Sequence, residues 1–287
     1  MPSRTFALLL AAAAVVGIVP SASRVAAPRV GESDHPAAAE PTVVTFRATD
    51  YAFMGPTSVK SGTVTFRLVN GGKEIHHLSV VQLSKGKTLA DYMKAVGSGK
   101  PPAWGVDVGG PNAAAPGDTV SATLTLAAGE YALICWVHSP DQTQHVNKGM
   151  VGSLTVLRAR SADAPPVADV EIRLSDYAFG LSRPLTAGRH VVRVVNDAEQ
   201  SHEVVLVKYA RGKSTRDMDA WFAGGMKGPP PGKPIDGIAP LAKGRSGYFT
   251  VDLTPGAYQM ICFIPDAKDG KPHSEHGMVV DFEVAGK

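Results

Sequence analysis

Cysteine is nearly absent from this chain. Two cysteines in 287 residues exclude a disulfide-stapled scaffold. Charge is sparse as well: Asp, Glu, Lys and Arg make up 19% and leave a net charge of +3, evenly spread, which gives no footing for a nucleic-acid partner. No apolar run reaches membrane length, since Phe6 to Val19 spans 14 residues and a spanning helix needs roughly 20. Phosphate-binding loops, a Ser-His-Asp elbow and zinc-protease motifs are all missing. What is present suits a turn-rich β protein. Gly 30 and Pro 22 stand beside many Val and Thr, and a 44% hydrophobic fraction is enough to build real cores.

The start of the chain reads as an address. Arg4 precedes the apolar run, Pro20 follows it, and Ser21, Ala22, Ser23, Ala26 and Ala27 offer small residues for cleavage. Residues 1–27 are therefore expected to be a signal peptide and 28–41, rich in Ala and Pro, a flexible leader. A twin arginine and a cysteine after the run are both lacking, so neither a twin-arginine signal nor a lipoprotein anchor is expected. The expectation is a periplasmic or secreted protein with no membrane contact in its mature form.

A tandem repeat organises the rest. Asp50-Tyr51-Ala52-Phe53 returns as Asp176-Tyr177-Ala178-Phe179, and the same offset of 126 carries Asn70 to Asn196 and His76 to His202. Ile134-Cys135 returns as Ile261-Cys262 at 127, and His145, Gly149 and Met150 return as His273, Gly277 and Met278 at 128. The creeping offset marks single-residue insertions in a duplicated domain, spanning 42–158 and 169–285 with a linker at 159–168. Val64, Phe66 and Leu68 alternate with Thr63, Thr65 and Arg67, the period of a half-buried strand, and Val120 to Leu126 and Phe249 to Leu253 do the same. About seven short strands per copy predict an all-β fold of two tandem Greek-key β-sandwich domains. Thr88–Ala95 and Thr215–Phe222 add one short inserted helix to each.

Each copy offers His, Cys, His and Met in that order: His76, Cys135, His145 and Met150, then His202, Cys262, His273 and Met278. Two imidazoles, a thiolate and a weak thioether form the ligand set of a blue-copper electron-transfer site. With Asn70…His76, Gly129-x-Tyr131-x-x-x-Cys135 and His145-x-x-x-Gly149-Met150, and their repeat partners, the sequence resembles the cupredoxins, the plastocyanin and azurin superfamily. The resemblance implies a cupredoxin-like sandwich in each half and copper, up to two ions, held by those eight residues.

The spacing departs from the plastocyanin pattern, which keeps Cys and His a few residues apart. Here nine residues lie between Cys135 and His145 and ten between Cys262 and His273. His138, three residues after Cys135, is the rival ligand; it ranks below His145 because it has no Met at the matching distance and no repeat partner. His77 and His276 are replaced by Glu203 and Lys148 in the other copy, so an outer or surface position suffices for them. His35 and His190 read as surface residues, and the Tyr-Ala-Phe residues as core. Asn70 and Asn196 either tie the ligand loops together or make turns. A Cys135–Cys262 disulfide would need two separate sandwiches to meet face to face.

The resulting expectation is an exported copper-binding protein serving electron transfer or copper storage, with a redox partner protein. The alternative is a metal-free binding module of the same fold. His-x-His and His-Cys-His motifs are absent, and on that ground the chain is expected not to be an enzyme.

Overall fold

The structure is a computed structural model that describes residues 42–97, 101–160 and 163–286. The signal peptide and leader expected over 1–41, and part of the linker, lie outside the described residues. The first repeat supplies β1 (Thr42–Thr49), β2 (Ala52–Met54), β3 (Ser58–Asn70), β4 (Ser79–Leu83), β5 (Gly105–Asp107), β6 (Thr119–Leu126), β7 (Gly129–Ile134) and β8 (Val151–Arg160), with helix α1 (Leu89–Gly97) after β4. The second supplies β9 (Val170–Ser175), β10 (Ala178–Leu181), β11 (Gly188–Asn196), β12 (His202–Tyr209), β13 (Gly232–Leu241), β14 (Ser246–Leu253), β15 (Gly256–Ile261) and β16 (Val279–Val284), with α2 (Thr215–Ala223) after β12.

The strands follow their side-chain alternation. Val170, Ile172 and Leu174 of β9 are buried while Arg173 and Ser175 face out; Phe249, Val251 and Leu253 of β14 point inward and Thr250 and Asp252 outward. In the first repeat the chain crosses between two sheets within β3. Ser58–Lys60 pair in parallel with Thr155–Leu157 of β8, while residues 62–69 pair antiparallel with β6 and 64–70 lie parallel to β1. This crossing makes β3 longer than the alternation from Thr63 to Val69 suggests. The facing sheet runs β8-β7-β4-β5. The second repeat sets β10-β9-β11-β14 against β13-β12-β15-β16. Phe66, Leu68, Leu124, Leu133, Leu154, Val194, Leu206 and Phe249 fill the space between layers, and each buried Leu or Phe contributes roughly 1.5–3 kcal/mol.

The repeats are joined by backbone pairing. β14 lies antiparallel to β6, with Gly247 opposite Leu124 and Phe249 opposite Ala122, so one sheet continues across both sandwiches. The segment after β5 runs beside β13, where Ala239 N–H donates to Gly110 O at 2.8 Å and Gly109 N–H to Pro240 O at 2.9 Å. Among the described residues, no helix is long and apolar enough to cross a membrane.

Candidate metal centres

In the first repeat His76 follows β3, held by paired backbone bonds with Ala114 (3.0 and 2.8 Å), and Cys135 directly follows β7. The long segment from Cys135 to His145 closes on itself. His138 bridges to Gln144, Ser139 N–H donates to Thr143 O at 2.9 Å, and His145 N–H donates to Val137 O at 2.8 Å. The second repeat does likewise: Pro265 bridges to Pro272, and His273 N–H donates to Ile264 O at 2.9 Å. The extra residues form small hairpins whose bases stay narrow, so both histidines return beside the cysteine that precedes them. His138 lies on such a hairpin and is exposed.

The His-x-x-x-Gly-Met spacing has a local cause. His145–Lys148 and His273–His276 are single turns of 3-10 helix, each ended by a glycine in the left-handed region, Gly149 at φ 94° and Gly277 at φ 99°. A side chain there would strain the backbone. The turn brings Met150 N–H to His145 O at 2.9 Å and Cys135 N–H to Met150 O at 3.2 Å, and Met278 and Cys262 repeat both bonds. Cys, His and Met are thus fastened to one another through the backbone.

The side chains converge. His76 Nδ1 and His145 Nδ1 are 3.1 Å apart and Cys135 Sγ is 3.4 Å from His145 Nδ1. Cys262 Sγ lies 3.5 Å from His273 Nδ1 and 4.0 Å from His202 Nδ1. In each repeat the three donor atoms lie within 4.8 Å of one another, and all six residues are 0% exposed. Met150 and Met278 are equally buried, in the same apolar cluster as the cysteines. Both cysteines are free thiols, each inside its own sandwich.

Carboxylates set the ring orientation. His76 Nε2–H donates to Asp50 Oδ1 at 2.7 Å, His145 Nε2–H to Glu74 Oε2 at 2.8 Å, and His202 Nε2–H to Asp176 Oδ1 at 3.0 Å. With Nε2 protonated, each Nδ1 presents a lone pair to the sulfur. Two such lone pairs 3.1 Å apart have no hydrogen between them, and a cation satisfies both. Burial pulls His76, His145 and His202 below the usual histidine range and, with His202 alongside, His273 to about 4. Burial also pushes the Cys135 thiol up to about 12 and Cys262 up too. Neutral imidazoles suit a metal, and a thiol so placed becomes a thiolate when a metal displaces its proton.

Several residues carry more than their sequence suggested. Of the Tyr-Ala-Phe residues, Phe179 is in the core, Tyr51, Phe53 and Tyr177 pack half-buried against it, and Ala52 and Ala178 are exposed. Tyr51 also meets the His145 ring at a tilt with centroids 4.9 Å apart, and Tyr177 meets His273 edge-on at 5.4 Å. Tyr51 also donates to Glu74 at 2.9 Å. The repeated Asp-Tyr pair, sharing its offset with the first histidine, was the available signal. Glu74 had none, because Gln200 occupies its place in the second copy. There His273 Nε2 is buried with no partner, and Asp266 stands 3.9 Å away. His77 and Glu203 are buried, and His190 is buried against Asp169 at 2.7 Å; none sits on the surface. His35 lies outside the described residues. Asn70 and Asn196 tie loops, the former bonding Glu74 O and Ala114 O at 2.7 and 2.8 Å, the latter Gln200 O and Leu241 O at 2.7 and 2.6 Å.

No protein-family model matches the chain, and no curated protein does. Solved structures similar to it include auracyanin A, a "blue" copper protein of Chloroflexus aurantiacus, at 25% identity over 41% of this chain and 99% of that one, TM-score 0.30. A blue copper oxidase from Nitrosomonas europaea is 15% identical over 85% of this chain and 86% of its own, TM-score 0.27. A copper-containing nitrite reductase from Thermus scotoductus is 12% identical over 86% and 62%, TM-score 0.24. An oxidase and a reductase are enzymes, so the expectation that the chain is not an enzyme is withdrawn. Each repeat is a β-sandwich holding one buried His-Cys-His group, the arrangement that the sequence's resemblance to the cupredoxins implies.

Proposed function

We propose that this is an exported copper-binding protein, holding up to two ions, one per repeat, for electron transfer or copper storage. The observation that carries the reading is the pair of buried groups in which two imidazole Nδ1 atoms and one thiol sulfur lie within 4.8 Å. One soft sulfur and two imidazoles favour copper among the first-row metals. His76, Cys135 and His145 with Met150 would hold one ion; His202, Cys262 and His273 with Met278 would hold the other. Copper bound there supplies a one-electron couple between its two oxidation states.

The chain's own contribution is orientation and exclusion of water. Asp50, Glu74 and Asp176 hold the imidazole tautomers, and the backbone bonds between Cys, His and Met keep the donors together. Complete burial keeps solvent off the sulfur. The charged start, apolar run and small residues of 1–27 support export to the periplasm or beyond, and an electron-transfer role calls for a redox partner protein. Metal analysis with a visible spectrum of the copper-treated, dialysed chain tests the proposal. Two retained ions and a thiolate-to-copper band are expected. A folded protein that retains no copper overturns it in favour of the metal-free binding module.

A further inference from the structure

His77 follows His76 and Glu203 follows His202, so the two occupy the same place in the repeats. Each side chain reaches the backbone N–H of the residue after its own cysteine. Trp136 N–H donates to His77 Nε2 at 2.8 Å, and Phe263 N–H donates to Glu203 Oε1 at 3.1 Å. The His77 N–H also points at Cys135 Sγ, 3.5 Å away.

The two side chains meet on one residue. Asn112, 1% exposed, lies where the segment after β5 runs beside β13. Because Nε2 of His77 accepts from Trp136, its Nδ1 carries the hydrogen and donates to Asn112 Oδ1 at 3.2 Å. The amide nitrogen of Asn112 donates to Glu203 Oε2 at 3.0 Å and to Val204 O and Ile238 O, both at 3.2 Å. A flipped amide would set its oxygen against a carboxylate and two carbonyls, so the network allows one orientation.

We propose that Asn112 is a positioning residue shared by both metal centres, linking Cys135 to Cys262 through His77 and Glu203; the inference rests on the copper reading above. An amide has one accepting end and one donating end. It can therefore join a donor on one side to an acceptor on the other, but not two histidines held in this tautomer and not two carboxylates. That complementarity accounts for His77 and Glu203 differing at a position where the flanking ligands are identical. It also makes each centre sensitive to a residue of the other repeat.

The test uses the full mature chain, with copper as the probe. In metal-free protein, Asn112→Ala is expected to speed hydrogen exchange at the Trp136 and Phe263 amides together, about tenfold or more. In a Cys262→Ser background, which leaves the first centre alone, Glu203→Gln turns an amide N–H₂ toward Asn112. It should shift the first centre's thiolate-to-copper band and weaken its copper affinity by about tenfold, the lower end of the usual range for an outer hydrogen bond. Effects confined to each residue's own repeat overturn the linkage. If Asn112→Ala fails to fold, Glu203→Gln read at the Trp136 amide decides the matter. If the parent binds no copper the copper reading falls alone, and the amide comparison still tests the link.

Discussion

Replacing Glu74 with Gln should remove most of what distinguishes the first centre from the second. In the first repeat the Glu74 carboxylate accepts from His145 Nε2 at 2.8 Å, from Ser139 at 2.7 Å and from Tyr51 at 2.9 Å. In the second repeat Gln200 stands at that position and the His273 Nε2 has no hydrogen-bond partner, only Asp266 at 3.9 Å. A hydrogen bond to a charged group contributes about 1.5–3 kcal/mol, and outer partners of metal-bound histidines typically carry 10–100-fold in affinity. The Glu74 side chain is 24% exposed, so water weakens the bond and the lower end, about tenfold, is expected. Two results follow. Read separately in Cys262→Ser and Cys135→Ser backgrounds, the first centre should hold copper about tenfold more tightly than the second. Glu74→Gln should close that gap without changing the second centre. Competition with a chelator of known copper affinity measures both, and Glu130→Gln, which removes the same charge at a residue bonded to Thr155, serves as the control. A Glu74→Gln affinity within twofold of the parent, or a second centre tighter than the first, would refute the reasoning.

His145→Ala should weaken the first centre far more than His138→Ala, since His138 is exposed on its hairpin; equal losses in chelator competition would contradict this. Metal-free protein, denatured without reductant, should titrate as two free thiols, and in the native state both should alkylate slowly because they are buried; finding no thiol would mean a disulfide and sink ligation. Tyr131→Phe removes a hydroxyl that donates to Ala127 O at 2.8 Å and should lower stability by about 1 kcal/mol in urea unfolding; no change would show that the bond is worthless. Asp169 is pushed up by burial but more strongly down, to about 2, by His190, Val191 N–H and Arg183. A depressed carboxylate stabilises the fold above its unfolded pKa of about 4 and loses that contribution as pH falls toward 2. The Tm gap between parent and Asp169→Asn should therefore shrink across that interval, and a constant gap would rule the carboxylate out.

Local chemistry was legible in the sequence. Alternation along β9 and β14 is set by neighbours two residues apart, and the duplication is visible as residues shared at one offset. The His-x-x-x-Gly-Met turn needs only six consecutive residues, one of them a left-handed glycine. The candidate donors could be chosen by donor chemistry, which residue type alone supplies. The tertiary structure decided whatever joins residues far apart in the chain. The hairpins that return His145 and His273 close through backbone bonds that no periodicity encodes. Tyr51 reads as core from its Ala and Phe neighbours, and it does pack half-buried against the core; its second contact, tilted against the His145 ring, comes from tertiary packing alone. Glu74 on His145 spans 71 residues and has no echo in the second copy. A repeat offset compares each copy with the other and is blind to contacts between them. The β14–β6 pairing and the meeting of His77 and Glu203 on Asn112 exist only because two sandwiches pack against each other.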